Sequence, residues 1–399
     1  MSASARRLPG RAALAGLFLG LTALPAAAAV PTEPPKTAAV VGRPVALLVQ
    51  PETITLSGPR ARQQVVVTGR YKDGSVRDLT ALCELGCDAG GLIAVEEGGY
   101  LAPRKNGASA LVVKAGGLTA RVPVAVKDFD RPQPVSFRNE VIAALNVGGC
   151  NAGACHGTPS GKNGFKLSLR GFNPPADFLQ LTRDVLGRRT DRQRPDASLI
   201  YQKALGSVPH EGGQRYVARS VPAEAMRLWL AEGLKDDPAN LPALRGIQVL
   251  PGSRVQSDPA RWQQLSVMAQ FSDGSVRDVT RLTVFSSSDS VVADVSPTGL
   301  VEFRQAGEVA VLCRFLMELQ TVRLTFLEPR PGFVWPNPPE SNYVDKHVFA
   351  KLKMLSLPPS GLCTDQEYVR RAFLDLCGVL PTAEEVRTFL ADNDPNKRA

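Results

Sequence analysis

A repeated ten-residue run is the feature that most constrains the fold of this 399-residue chain. Residues 71–80 and 271–280 are identical at seven of ten positions: Asp73/Asp273, Gly74/Gly274, Ser75/Ser275, Val76/Val276, Arg77/Arg277, Asp78/Asp278 and Thr80/Thr280. β-type residues precede both runs, and a glycine step and a final pair of β-type segments follow both. The chain therefore contains an internal repeat of about 85 residues, which predicts two copies of one domain.

The residues around both runs have the pattern of short β-strands. In the first copy, alternating or β-branched runs occur at residues 45–49, 64–67, 110–113 and 120–126. Turn signals separate these runs, and the Asp-Gly pair predicts a tight turn in which Gly74 takes a positive φ. We therefore expect two all-β domains of the size of immunoglobulin-like sandwiches, at residues 42–127 and 245–327.

Residues 292–301 (Val-Ala-Asp-Val-Ser-Pro-Thr-Gly-Leu-Val) resemble a segment of bacterial Ig-like domains from surface proteins of the invasin/intimin group. The resemblance extends over both expected β-domains and implies their fold. A cell-surface ligand is the partner expected for such repeats.

The first 29 residues have the features of a secretory signal. Three arginines form a positive segment, an uncharged apolar run covers residues 12–24, and four alanines at 26–29 offer a cleavage site. The apolar run is too short to favour a transmembrane span, although an uncleaved anchor is the alternative. We expect export to the periplasm or the cell surface, no transmembrane span in the mature chain, and a Pro/Thr/Ala-rich linker at residues 30–41.

The charge pattern does not indicate nucleic-acid binding. The formal net charge of +9 falls to +6 (9 − 3) without the three arginines of the signal. Basic residues are not interleaved with aromatic residues, and no helical stretch carries a basic stripe. Motifs of serine hydrolases, zinc proteases and phosphate-binding loops are also absent, so we expect an electron carrier or a binding protein rather than an enzyme.

The segment from Cys150 to His156 carries the most specific chemistry. Two cysteines separated by four residues directly precede one of the three histidines of the chain. Covalent haem is usually held by C-x-x-C-H, with the thiols as thioethers and the histidine on the iron, so the present spacing is a longer variant. Two alternatives stay open: a Cys150–Cys155 disulfide, or a zinc site formed by both cysteines, His156 and His210.

Helical patterns surround this motif and predict a mainly α, cytochrome c-like module at residues 137–235. Phe137, Val141 and Leu145 are spaced by four and form one helical face that leads into the motif. A second helix is expected to begin after Ser220 as its N-cap and to stop at Gly233.

A haem iron at this motif needs axial ligands. His156 is the expected proximal ligand and His210 the expected distal ligand, with Met226 as the alternative to His210. Three nearby basic residues could pair with the haem propionates or form a solvated surface: Lys162, Arg188 and Arg189.

Five segments of this module, in the same order, resemble a c-type cytochrome-like module of large exported planctomycete-type proteins. The segments are Gly149–Gly157, Gly164–Leu169, Arg188-Arg189, Pro209–Gly213 and Trp229–Gly233. The resemblance implies covalent haem c at Cys150, Cys155 and His156, and the four-residue spacer is its departure from the usual motif.

The C-terminal part of the chain begins with a Pro-rich linker at residues 328–341 and is expected to be helical at 342–399. Sequences typical of capping boxes begin at Thr364 and Thr382, and each predicts the start of a helix. His347 is expected on the face of an amphipathic helix rather than at a ligand site.

Two C-terminal segments, residues 342–352 and 370–385, resemble the start of the domain of unknown function that follows the cytochrome-like module in the same proteins. The resemblance implies that the helical segment is a truncated form of that domain.

Together these patterns predict an exported protein that binds haem c between two Ig-like domains and takes part in electron transfer, with a redox protein as its partner. The alternative is a structural or adhesive cell-surface protein in which Cys150–Cys155 is a disulfide and no haem is bound. Cys83 and Cys87 are close enough in sequence for a second, local disulfide. Three further cysteines are not paired by the sequence: Cys313, Cys363 and Cys377.

Overall fold

The computed structural model describes residues 37–328 and 330–398. These residues are mostly β-strands with some helices, and they divide after Phe326 into two compact units. The expected signal at residues 1–29 and residues 30–36 of the expected linker lie outside the described residues. The end of that linker differs from the prediction, because Thr37–Val41 form helix α1, in which Val40 is buried.

The first β region follows α1 and contains ten strands. Their bounds are β1 Ala46–Gln50, β2 Ile54–Ser57, β3 Gln63–Gln64, β4 Val66–Arg70, β5 Val76–Asp78, β6 Glu84–Cys87, β7 Ile93–Glu96, β8 Tyr100–Pro103, β9 Gly107–Ala115 and β10 Leu118–Lys127. The strands form three sheets, with the orders β1-β4-β5, β2-β10-β9-β6 and β3-β8-β7. Strand β2 pairs with β10 in parallel, and β9 pairs with β10 as an antiparallel hairpin. Buried apolar side chains of these strands form one cluster, which Val40 of α1 and Ala260 of the second β region join.

The second β region repeats this arrangement strand by strand. Its bounds are β11 Leu244–Leu250, β12 Arg254–Ser257, β13 Trp262–Gln264, β14 Ser266–Phe271, β15 Val276–Asp278, β16 Val284–Ser287, β17 Ala293–Val295, β18 Leu300–Phe303, β19 Gly307–Phe315 and β20 Glu318–Leu327. The sheet orders are β11-β14-β15, β12-β20-β19-β16 and β13-β18-β17. The internal repeat of the sequence is therefore a repeat of topology.

The Asp-Gly turns join β4 to β5 and β14 to β15. Gly74 has a φ of 83° and Gly274 a φ of 78°, as the turn chemistry predicts. In the first turn, the Asp73 carboxylate accepts hydrogen bonds from the backbone N–H and the hydroxyl of Ser75, at 2.9 and 2.7 Å. The second turn has the same two hydrogen bonds, so the repeated sequence builds the same local structure twice.

The two β regions also bind each other through their repeated residues. Asp278 accepts hydrogen bonds from the backbone N–H of Gln64 at 2.7 Å and from the side-chain amide of Gln63 at 3.1 Å. In the reciprocal contact, Asp78 accepts from the backbone N–H and the side-chain amide of the dipeptide Gln263-Gln264. The aspartate of each region thus accepts the same two kinds of hydrogen bond from the glutamine pair of the other region, in an approximately two-fold arrangement.

A helical segment connects the two β regions. Its helices are α2 Ile142–Val147, which continues a π-helical turn at Phe137–Val141, and then α3 Pro174–Thr182, α4 Leu199–Leu205 and α5 Val221–Ala231. Phe137, Val141 and Leu145 are buried, as their spacing predicts. The Trp229 ring lies 5.2 Å from that of Phe137, and its Nε1 donates to the carbonyl of Lys235 at 2.8 Å.

The start and the end of this helical segment are tied together. The Glu232 carboxylate accepts the backbone N–H of Val135 at 2.7 Å, and Asp237 accepts the N–H of Phe137 at 3.1 Å. From the first β region, Arg60 forms an ion pair with Glu232 at 3.6 Å. The segment therefore leaves and rejoins the β regions at one place.

The C-terminal unit consists of helices α6 Tyr343–Met354, α7 Asp365–Cys377 and α8 Ala383–Ala391. Both predicted capping boxes are formed, with Thr364 and Thr382 exchanging hydrogen bonds with the glutamates three residues later. Among the described residues of these helices only Val369 is buried, so the unit has a thin core. Within residues 37–328 and 330–398, no helix has the length and apolar character needed to cross a membrane.

Candidate functional site

A cavity of about 370 Å³ lies in the helical segment, within the range of roughly 300–1,000 Å³ that is typical of ligand sites. The folded chain brings to it the four residues that the sequence selected as ligands: Cys150, Cys155, His156 and His210. Apolar and basic side chains complete the wall, among them Phe165, Leu199, Ile200, Lys162, Arg188, Arg189, Lys203 and Arg215.

The loop that contains the motif, Cys150–His156 (the motif loop), follows the end of α2. The N–H of Cys150 donates to the carbonyl of Leu145 at 2.9 Å, and the loop closes where the N–H of His156 donates to the carbonyl of Cys150 at 3.0 Å. Gly157 lies directly against this loop, since a Cβ on it would be 2.8 Å from the backbone carbonyl carbon of Asn151. The loop is therefore tightly packed, although the sequence suggested only that its residues are small.

The two thiols of the motif have different surroundings. Cys150 is buried beside Tyr216, and burial raises the pKa of its thiol to about 11. Cys155 is half-buried, and Nη2 of Arg215 donates to its Sγ at 3.7 Å. The Cys150 thiol is therefore held in its protonated form in this fold.

No disulfide is present in the described residues, which include all seven cysteines. The local Cys83–Cys87 bond that the sequence allows is not formed, and neither is the alternative Cys150–Cys155 bond. Burial raises the pKa of the Cys83 thiol to about 12, so this thiol is a poor nucleophile for disulfide formation in its folded position.

His156 is fixed by its backbone and ring contacts. Its Nδ1 lies 3.0 Å from the carbonyl oxygen of Phe165, and its ring centroid lies 4.5 Å from that of Phe165. Because a carbonyl can only accept, Nδ1 carries the proton and Nε2 keeps its lone pair. Burial lowers the pKa of His156, which favours this neutral form.

His210, which also lines the cavity, has the same kind of anchor. Its Nδ1 lies 3.0 Å from the carbonyl oxygen of Gly213, which again leaves Nε2 as the free nitrogen. After burial, the proximity of His210 is a further cause of the lowered pKa of His156, so the two rings interact electrostatically.

The other candidate ligands are not placed at the cavity. Met226, the alternative axial ligand, is fully buried in α5 and is not part of the cavity wall. His347 is exposed on α6 in the C-terminal unit, in agreement with the role on a helix face expected for it.

The basic residues proposed from the sequence turn out to differ from one another. Arg189 is buried, forms an ion pair with Asp184 at 3.0 Å and stacks on the Phe165 ring at 4.3 Å. Its positive charge is therefore compensated within the protein. Lys162 pairs with Glu211 at 3.6 Å, whereas Arg188 is exposed at the rim of the cavity.

Sequence reasoning missed Arg215. This residue has no motif of its own, and it reaches the cavity only because the chain between His210 and α5 folds back over the cysteine loop.

A zinc site is not supported by the geometry. Within residues 37–328 and 330–398, no three His, Cys, Asp or Glu side chains are grouped closely enough to hold a metal ion among themselves. The two cysteines and two histidines line one cavity without converging on a common point, which a tetrahedral zinc site requires.

Comparison with known proteins gives one family match. A family model described as PSCyt2, a protein of unknown function (DUF1549), matches residues 343–399. This confirms the expected domain of unknown function in the C-terminal segment, which is a small part of the chain. No curated protein matches, and no haem-binding family matches either, so the cytochrome-like module stays a prediction.

Several solved structures match this chain with low structural similarity. Domains 5–6 of the S-layer protein SbsC match with a TM-score of 0.30 and 11% identity over 72% of this chain and 100% of that chain. Domains 4–9 of surface layer protein SbsC match with a TM-score of 0.28 and 10% identity over 72% of this chain and 31% of that chain. InvD of Yersinia pseudotuberculosis matches with a TM-score of 0.14 and 9% identity over 74% of this chain and 60% of that chain. Scores this low carry no argument about function or assembly.

Proposed function

We propose that residues 137–235 form a haem c-binding module of an exported protein, and that the module takes part in one-electron transfer. The observation that carries the proposal is the orientation of the two histidines. His156 and His210 are each anchored through Nδ1 to a backbone carbonyl at 3.0 Å, and both line the cavity that also contains Cys150 and Cys155.

The residues present fit a covalently bound haem. A metal-ligating histidine usually donates its second ring N–H to a carbonyl or carboxylate, which fixes the tautomer and the ring plane. Both histidines have this arrangement. Cys150 and Cys155 are free thiols on the same loop as His156, which is the donor set of thioether attachment next to an axial imidazole.

Each protein group has a definite task in this proposal. His156 and His210 would be the axial ligands, and the carbonyls of Phe165 and Gly213 would hold their rings in place. Haem bound in this way supplies a one-electron couple whose potential is set by the axial ligands and by burial. Phe165, Leu199 and Ile200 would form the apolar part of its surroundings, and the basic residues of the wall the charged part; both would influence the potential.

The test is the intact mass and the pyridine haemochrome spectrum of the mature protein, secreted from a host with a haem-ligation system. We expect one added haem and a c-type band. The Cys150→Ala/Cys155→Ala double variant should lose both signals, whereas the matched variant Cys363→Ala should keep them, because Cys363 lies in the C-terminal unit. Absence of haem from the unmodified protein would overturn the proposal.

A second candidate function is that of a structural or adhesive cell-surface protein, in which the Ig-like repeats bind a ligand. The observation that favours it is the reciprocal contact of Asp78 and Asp278 with the two glutamine pairs, which joins the repeats to each other. For this candidate, the same mass measurement should show no haem and a protein two hydrogens lighter, with Cys150 and Cys155 oxidised to a disulfide. Protease treatment of intact cells would then locate the protein at the surface or in the periplasm.

A further inference from the structure

The cavity wall is strongly cationic. Five basic residues line it, and Glu211 is the acidic residue among the described residues of the wall. The basic residues are Lys162, Arg188, Arg189, Lys203 and Arg215. A partly buried surface with this excess of positive charge is costly unless an anion neutralises it.

Most of these cations have partners within the protein. Lys162 is paired with Glu211 and Arg189 with Asp184. Lys203 donates from Nζ to the carbonyl of Pro209 at 3.1 Å.

Arg215 differs from them. Its guanidinium donates to the thiol of Cys155 at 3.7 Å, which is a weak acceptor. Its Nε is buried and has no acceptor among the described residues. Arg215 is therefore a cavity cation without an anionic partner in the described part of the chain.

The chain holds this guanidinium close to the histidine that faces it. A Cβ on Gly212 would lie 2.9 Å from Cε1 of His210 and 3.0 Å from Nη2 of Arg215. A side chain at position 212 would therefore require His210 or Arg215 to move. Cys155, His210 and Arg215 therefore line one region of the wall.

We infer that Arg215 binds a carboxylate of the ligand in this cavity, and that the ligand is an amphiphilic anion with a flat apolar body. Phe165, Leu199 and Ile200 provide the apolar surface, and the guanidinium provides a planar fork that matches a carboxylate. The inference rests on the proposed function in one respect, which is the identity of the ligand. If the ligand is haem, its propionates are the carboxylates that Arg215 binds.

The test uses the full mature chain, produced without a haem-ligation system, and two probes. Protoporphyrin IX carries two carboxylates, and its dimethyl ester has the same ring without them. We expect the diacid to bind roughly 10- to 100-fold more tightly than the ester, as for one hydrogen-bonded charge pair. Arg215→Gln should remove most of this preference, and Arg215→Lys should keep part of it, because lysine retains the charge without the fork.

Arg192→Gln is the matched control, since Arg192 has the same charge in the same segment but does not line the cavity. It should keep the full preference for the diacid. An Arg215→Gln variant that folds, by circular dichroism, and still prefers the diacid as strongly as the unmodified chain overturns the inference. If Arg215→Gln does not fold, an undiminished preference in Arg215→Lys overturns it instead.

The two proposals can fail separately. If the protein receives no haem in the ligation host but Arg215→Gln loses the preference for the diacid, the haem c function is refuted and the anion site is supported. If the protein receives haem but Arg215→Gln keeps the preference for the diacid, the role of Arg215 is refuted and the haem c function is supported.

Discussion

Asp78 and Asp278 occupy equivalent positions in the two β repeats, and each is held by the backbone N–H of a glutamine from the other repeat. Their surroundings are nevertheless different. Burial raises the pKa of both carboxyls. At Asp78 this is counteracted by hydrogen bonds from Thr80 and Gln264 and also by the nearby Arg254 guanidinium. Asp278 accepts hydrogen bonds from Gln64, Thr280 and Ser266, and burial raises its pKa from 3.8 to about 6.

The first prediction concerns pH. A carboxyl with a raised folded-state pKa stabilises the fold below its unfolded-state pKa and loses that contribution as the pH rises through the folded value. For Asp278 this window runs from about 4 to about 6, and the contribution is on the order of 3 kcal/mol. The free energy of unfolding of the unmodified protein, minus that of Asp278→Asn, should therefore fall by about that amount between pH 4 and pH 7.

The control for this measurement is Asp273→Asn, in the exposed turn of the same repeat. Hydrogen bonds from Ser275 lower the pKa of Asp273, so its contribution has the opposite sign and is lost as the pH falls. Urea unfolding at several pH values provides the data. A difference between the unmodified protein and Asp278→Asn that does not vary with pH would contradict the prediction.

The second prediction concerns the motif loop. In Gly157→Ala the new Cβ would meet backbone atoms of Asn151 and Ala152, which cannot move without rearranging the cysteine loop. We expect a loss of about 1–3 kcal/mol in the free energy of unfolding and a reduced haem content. Gly153→Ala is a matched control, because its Cβ would lie 3.8 Å from a side-chain atom of Leu169, an ordinary contact. Equal behaviour of the two variants would show that the loop is not tightly packed.

The third prediction concerns the distal ligand. His210→Ala in the haem-loaded protein should replace a low-spin visible spectrum with that of a five-coordinate or water-ligated iron, because the second imidazole is removed. His347→Ala, on the exposed face of α6, should leave the spectrum as it is. If His210→Ala also leaves it as it is, His210 is not the axial ligand.

The fourth prediction concerns the core of the helical segment. Trp229 is fully buried and its indole N–H is hydrogen-bonded to Lys235. Trp229→Ala should cost about 3–5 kcal/mol in the free energy of unfolding, measured by circular dichroism in urea. Leu186→Ala removes a fully exposed apolar side chain and should change that free energy by no more than about 0.5 kcal/mol. A small effect of Trp229→Ala would mean that the core around Trp229, which is continuous with that of the second β region, is not tightly packed.

Local patterns were the part of the fold that the sequence could predict. The Asp-Gly turns, the buried face of Phe137 and both capping boxes depend on residues within a few positions of each other, and all of them are formed. Ser220 shows the limit of such reasoning: it occupies the expected N-cap position of α5, yet its hydroxyl makes no capping hydrogen bond.

Contacts between distant segments could not be predicted in this way. The exchange between Asp78 and Gln264 joins residues that are 186 positions apart, and the sequence shows only that Asp78 is repeated. Arg215 is likewise separated from Cys155 by 60 positions. The sequence did select all four residues around the cavity from the motif and from the scarcity of histidine, but their common location depends on the packing of α2, α4 and the segment before α5.

The ties between Val135 and Glu232 and between Phe137 and Asp237 have a mechanical consequence. A pulling force applied along the chain would pass from the first β repeat to the second through these ties and through the exchanged glutamine contacts. The helical segment that holds the cavity lies between these ties along the chain, so the hydrogen bonds would have to break before tension along the chain reached the cavity. A ligand site in such a segment would keep its geometry under a load that leaves these hydrogen bonds intact.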